Sequence, residues 1–253
     1  MLHRRIPEEA ARLIEGASSR AIHLRVTGSL AVRMHSQDCA PLLDALGRRR
    51  FRDIDFWGYA KEQKEIEQLL EQDGYQADPT IKQMHEWGVK RLIYEHPETH
   101  IKIDVFMDEL VMAHTIHFKG RLDLDFPTIG LADLLLSKLQ IHQITDNDLI
   151  DTIVLLAEHE AGSGDRERID IGYLLDVLRS DWGFTYTVLD NLKKCLDALA
   201  RYEVPPDVAE VVRTRVNATA EQIVSAPKTT RWKLRARVGT RSKWYEDVDD
   251  VTR

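Results

Sequence analysis

Asp53-Ile54-Asp55-Phe56-Trp57 is the stretch on which the fold of this chain turns. Polar and apolar residues alternate there with the period of a half-buried strand, so both carboxylates project from one face while Ile54 and Phe56 enter a core. Ile101-Lys102-Ile103-Asp104-Val105-Phe106 repeats the device: Ile101, Ile103 and Val105 share a face and Asp104 stands opposite. If the two strands are neighbours, three acids converge. Carboxylates about 4 Å apart repel by roughly 4 kcal/mol per pair at an effective dielectric near 20. Such a cluster needs bound cations or a proton, and hard divalent ions suit an all-oxygen site, Mg²⁺ taking one or two carboxylates plus substrate phosphates. The competing reading is that these aspartates are the wet face of a sheet; Asp is depleted in strands, and that makes its recurrence beside apolar partners informative.

Upstream, the apolar run Ala21 to Val26 ends at Gly28-Ser29 and reads as a strand entering a tight turn. A glycine there lets the backbone approach a ligand closely, and a serine hydroxyl with the following N–H groups can bind phosphate, although an ordinary turn has the same sequence. Ala10, Leu13, Ile14 and Ala17 recur at helical spacing, Leu42 to Leu46 is helical, and a basic cluster follows at Arg48, Arg49, Arg50 and Arg52. Lys61 to Gln72 is a charged helix with Ile66, Leu69 and Leu70 on one face. From Thr80 to Asp125, short β-branched and aromatic runs separated by turn residues suggest a meander of strands. From Gly130 to about Val224 the pattern is helical almost throughout. Three parts result: 1–128 as an α+β core, 129–225 as an all-helical domain, and 226–253 as a basic segment packing on the body. Within it, from Lys228 to Lys243, Lys228, Arg231, Lys233, Arg235, Arg237, Arg241 and Lys243 occur without an acid, and the sign reverses after them through Glu246, Asp247, Asp249 and Asp250; Trp232 and Trp244 suit packing, with base stacking as the alternative.

Composition closes off other classes. With 43% hydrophobic residues in 253, the chain is not a disordered one. Cys39 and Cys195 cannot form a disulfide framework or a cysteine-based zinc site and suit a reducing compartment. No stretch is long and apolar enough for a membrane span, and no apolar signal region follows Met1-Leu2-His3-Arg4-Arg5, so the expectation is a soluble, cytoplasmic protein. The net charge of −7 weighs against indiscriminate nucleic-acid coating. His114 and His117, three apart in an expected strand, face opposite sides and read as surface hairpin residues.

Taken in order, Leu24-Arg25-Val26-Thr27-Gly28-Ser29, Asp53-Ile54-Asp55-Phe56 and Ile103-Asp104-Val105-Phe106 resemble the DNA polymerase β-like nucleotidyltransferase superfamily. The long gap between Gly28-Ser29 and Asp53 is similar to that of its abortive-infection toxin-type and antibiotic-type branch. That branch also carries a helix lysine followed by a helix with Asp-x-x-Asp. Leu135-Leu136-Ser137-Lys138-Leu139 and Asn147-Asp148-Leu149-Ile150-Asp151 look like these elements, with Asn147 where a basic residue is usual. The resemblance covers roughly residues 20 to 157.

It implies a mixed α/β core sheet flanked by helices, and the two-metal transfer of a nucleoside monophosphate from an NTP such as ATP to a hydroxyl. Asp53, Asp55 and Asp104 would be the catalytic residues and hold two Mg²⁺ ions, with Asp104 helping to deprotonate the acceptor. Gly28 and Ser29 would cradle phosphates, Lys138 would neutralise charge on pyrophosphate, and Asp148 or Asp151 would orient Lys138. Apart from the resemblance, Arg48, Arg49 and Arg52 stand close to Asp53 in sequence, placed to meet a nucleotide or polynucleotide or simply to offset the acids. The nucleotide would lie in a cleft between the core and the helical domain. The acceptor is a small molecule, a protein, or tRNA or another RNA, and a toxin-like role is one option the branch offers. The alternative is a catalytically silent nucleotide- or RNA-binding module with the same fold.

Overall fold

The computed structural model describes residues 2–48, 51, 53–79, 90–164 and 167–248, with the side chains of 2–5 left aside. The chain is an α+β protein that divides into two compact units. The first takes Met1–His35, Arg49–Leu110 and His117–Gly130; the second takes Ser36–Arg48, Val111–Ile116 and Leu131–Arg253. The division is therefore not a single cut near residue 128, because Ser36–Arg48 and Val111–Ile116 count with the helical part.

The first unit is a five-stranded sheet. Helix α1 (Leu2–Ser19) leads into β1 (Leu24–Val26), α2 (Gly28–His35), β2 (Asp53–Gly58), α4 (Gln63–Gln72), β3 (Gln76–Ala77), β4 (Arg91–Glu95) and β5 (Lys102–Met107), with α3 (Ala40–Ala45) belonging to the second unit. The strand order is β1-β2-β5-β4-β3. β1 runs antiparallel to β2, β2 parallel to β5, and β4 antiparallel to both β5 and β3. The expected meander thus has an interior strand pairing across a long crossover, which places β5 against β2 instead of at an edge.

Pleating gives the sheet two unlike faces. Leu24, Val26, Ile54, Phe56, Leu92, Tyr94, Ile103 and Val105 are buried with Leu13, Ile14, Ile66, Leu69 and Leu70 of α1 and α4. A Cβ built on Gly58 would lie 2.9 Å from Ile66 Cδ1, so a larger residue there would have to push aside the Ile66 side chain of α4. The opposite face carries Asp53, Asp55 and Trp57 from β2, Lys102, Asp104 and Phe106 from β5, and Arg91, Ile93 and Glu95 from β4. Its Trp57–Phe106 end is closed, with Trp57 stacked on Phe118 at 4.1 Å, while the acids at the other end are half-buried. Gly28 opens a helix here, not the expected plain turn. Leu30, Ala31 and Val32 of α2 are buried, and α2 packs against β2.

After the short strands β6 (Glu109–Val111) and β7 (Thr115–His117), the second unit is built from α5 (Leu131–Leu139), α6 (Asp146–Glu158), α7 (Ile171–Leu178), α8 (Trp182–Leu199), α9 (Pro206–Ser225) and α10 (Thr230–Val238). A two-stranded parallel ribbon of β8 (Ala161–Gly162) and β9 (Ile169–Asp170) sits among them. Every residue of α5 is buried, and α6, α7 and α8 pack around it. Thr145, Asp170, Asp181 and Thr229 each accept a backbone N–H at the start of their helix, fixing the starts of α6, α7, α8 and α10. The end of α5 is closed from the side: Asn191 Nδ2 donates to the carbonyls of Leu139 and Ile141, both at 2.8 Å. The basic segment lies along α8, where the Trp232 indole donates to Thr185 and that of Trp244 to Thr187. His114 is not a surface residue. It is buried in this unit, stacked on Phe184 at 4.8 Å with Nε2 2.8 Å from Thr187 Oγ1, because the β6–β7 turn folds inward; His117 is exposed and pairs with Glu109.

Candidate active site

Asp53 and Asp55 are two apart on β2 and share its open face, as the alternation requires. In the parallel ladder Asp55 is the register partner of Asp104, and Asp53 is the partner of Lys102. Residues opposite one another in neighbouring strands point to the same side, so Asp55 and Asp104 stand side by side. The Asp55 carboxylate faces Gly28: a Cβ built on that glycine would collide with Asp55 Oδ2, and Gly28 has φ +67°. The Thr27 N–H donates to the Asp55 carbonyl at 2.8 Å, holding the end of β1 on β2. Gly28 and Ser29 form the first turn of α2, whose N–H groups have no partner within the helix. Arg52 lies outside the described residues.

The cation that the acids demand comes from a residue the sequence reading did not single out. Arg91, at the start of β4, donates from Nε and Nη2 to both carboxylate oxygens of Asp104. Its guanidinium sits over the Phe106 ring, 5.0 Å from the centroid. Burial works against the charge of Arg91, but the Asp104 pair and the fields of Asp55 and Asp53 outweigh it and hold its pKa above the ordinary value. The signal was in the sequence: Leu92 and Tyr94 alternate as core residues, so Arg91 had to share the face of Ile93 and Glu95. The hairpin register Glu95↔Lys102, Ile93↔Asp104 then sets Arg91 diagonally across from Asp104.

Among the described residues no three His, Cys, Asp or Glu side chains converge as a ready metal site. The oxygen-only donors Asp53, Asp55 and Asp104, with the backbone of Gly28 pressed onto one of them, nevertheless have the chemistry that suits Mg²⁺. The arrangement that stands against a metal at Asp104 is its pairing with Arg91.

In the second unit, Lys138 lies on buried α5 and reaches Asp151 at 2.9 Å and Asp148 at 3.1 Å, both on α6. Arg48 donates to both oxygens of Asp151, at 2.9 and 2.8 Å. Arg48, expected beside the Asp53 acids, is thus committed to Asp151. Burial opposes the charge on Lys138, but the two carboxylates overcome it and raise its pKa above the usual lysine value; Asp148 is half-buried, which works against its charge, and Lys138 and Thr145 nevertheless hold it below the carboxylate range. Two cations and two anions close on one another here.

No protein-family model and no curated protein sequence matches the chain. Among solved structures it is similar to the lincosamide antibiotic adenylyltransferase LnuA with lincomycin bound, at 18% identity and a TM-score of 0.42, over 58% of this chain and 94% of that one. It is also similar to an antigenic nucleotidyltransferase-like protein from Paracoccidioides brasiliensis, at 13% identity and a TM-score of 0.42, over 85% of this chain and 93% of that one.

Proposed function

We propose that this protein is a nucleotidyltransferase that moves a nucleoside monophosphate from a nucleoside triphosphate to a hydroxyl of an acceptor, with Mg²⁺ held by Asp53, Asp55 and Asp104. One observation carries the reading: Asp55 and Asp104 are register partners on adjacent parallel strands, with Asp53 on the same face and Gly28 turned at positive φ against the Asp55 carboxylate. A wet sheet face needs no such apposition of like charges, nor a glycine whose lack of a side chain admits one of them.

Bound Mg²⁺ would neutralise phosphate charge and acidify the acceptor hydroxyl. The chain's own groups do the rest. The N–H groups opening α2 receive phosphate oxygens, as the positive end of a helix does, and Ser29 adds a hydroxyl. Asp104 takes up the proton of the attacking hydroxyl on a carboxylate oxygen. Lys138 and Asp151 act within the second unit, as a charge-balanced brace between α5 and α6 with Arg48.

The test is incubation with α-labelled NTPs, Mg²⁺ and a panel of sugar, nucleoside and RNA hydroxyl acceptors, reading labelled product and released pyrophosphate. Asp53→Asn and Asp55→Asn are expected to cut turnover on the order of a hundredfold or more, the scale lost when one group stabilising transition-state charge is removed. Equal turnover in either variant, or transfer that survives chelation of the metal, refutes the reading.

A further inference from the structure

Arg91 stands where an incoming divalent ion has to compete. It grips Asp104 in a fork, with both oxygens engaged, at a side-chain exposure of 23% for the arginine and 18% for the aspartate. A guanidinium and a divalent ion on the same carboxylate repel one another, so tight metal binding at Asp104 requires Arg91 to let go. Its geometry gives it somewhere to go. The guanidinium rests on the flat Phe106 ring, which is buried beside Trp57, and a planar fork that fits a carboxylate fits a phosphate equally well.

We propose that Arg91 is an exchangeable counter-ion that gates the acidic face: it closes on Asp104 when the face is empty and exchanges that carboxylate for phosphate oxygens of the nucleotide. This rests on the nucleotidyltransferase reading and deepens it, because it makes metal and nucleotide binding reciprocal. The nucleotide draws Arg91 off Asp104 and so strengthens the metal site; the metal, by taking Asp104, frees Arg91 for phosphate. Linkage requires the two effects to be equal in size, and couplings of this kind are typically about 5- to 150-fold.

The experiment titrates Mn²⁺, in the absence of nucleotide, into wild type, Arg91→Gln and Arg91→Lys by paramagnetic resonance, and separately titrates ATP in chelator. Arg91→Gln is expected to bind Mn²⁺ about fivefold or more tightly than wild type, having lost the competitor, and to bind metal-free ATP more weakly. Arg91→Lys, a point charge unable to engage both oxygens at once, is expected to fall between them, and it decides the matter if the glutamine variant does not fold. A merely structural arginine gives the opposite sign: its removal loosens the face and weakens Mn²⁺ binding. Mn²⁺ affinity in the variants equal to or below that of wild type overturns the gate. Asp55→Asn separates the two levels of the reading, since Mn²⁺ binding unaffected by that change fails the metal site itself and not the role of Arg91.

Discussion

Removing Asp151 tests whether the charges of the second unit balance as a set. Asp151 is 1% exposed and accepts from Lys138 at 2.9 Å and from Arg48 at 2.8 and 2.9 Å. Asp151→Ala takes from two largely buried cations the carboxylate that they share. Breaking a buried pair from one side costs about 3–5 kcal/mol, because the stranded charge keeps its desolvation penalty and loses its compensation. With a urea slope of roughly 2 kcal/mol per molar, the transition reporting the second unit should move down by about 1.5–2.5 M. Arg48→Met combined with Asp151→Leu removes both partners of the fork together and should cost far less than the single change, since an apolar pair of similar volume is often neutral. The effect is also flat across ordinary pH. Asp148 is depressed in the folded state, so its contribution is complete above about pH 3.9 and fades only as pH falls through its lowered value; Lys138 is raised, so its contribution is complete below about pH 10.4 and fades only above that. A midpoint shift under about 0.5 M for Asp151→Ala, or a double variant no better than the single one, would show that packing and not charge balance holds α5 to α6.

Two further outcomes follow from single residues. Gly28→Ala places a Cβ into the Asp55 carboxylate at a φ of +67°, and the left-handed backbone alone costs a non-glycine residue about 1–2 kcal/mol; a lower thermal midpoint together with weaker Mn²⁺ binding is expected, and unchanged values of both would disconnect the turn from the acids. His114 is held neutral by burial, its pKa lowered to about 4 with Asp181 pulling it up and His142 pushing it down, so its stabilising contribution is whole above about pH 6.5 and is lost as pH falls toward 4; relative to His114→Gln, wild type should lose about 3 kcal/mol across that window in urea titrations, and parallel pH profiles would refute the assignment.

The sheet was legible because its signal is strictly local. Alternation at Asp53–Trp57 and Ile101–Phe106 places each residue on a face without reference to any partner, and β2 and β5 bear it out as far as Phe56 and Val105; beyond them Trp57 and Phe106, on the open face, are buried as well. Helix α2 was hidden for the same reason: a glycine and a serine at its start are turn residues by local preference, and only burial of Leu30, Ala31 and Val32 makes the segment a helix. His114 shows the limit from the other side. Hairpin period and a polar side chain point outward, and the tertiary partners Phe184 and Thr187, some seventy residues later, turn it in.

The same distinction explains why the acids were found and their counter-ions were not. A carboxylate repeated at i and i+2 announces itself, whereas the cation that answers it arrives through register, and register is a property of two strands. Arg91 reaches Asp104 only because the β4–β5 hairpin sets Ile93 opposite Asp104, so that the arginine lies one diagonal away. Arg48 belongs to the same lesson in reverse. Its neighbours in sequence pointed to the Asp53 strand, but the chain from Ser36 to Arg48 counts with the helical unit and hands the residue to Asp151. Net charge near an acidic cluster is therefore poor evidence of what binds there: Arg48, close to Asp53 in sequence, serves α6, and Arg91, some forty residues further on, answers the face where the chemistry is proposed.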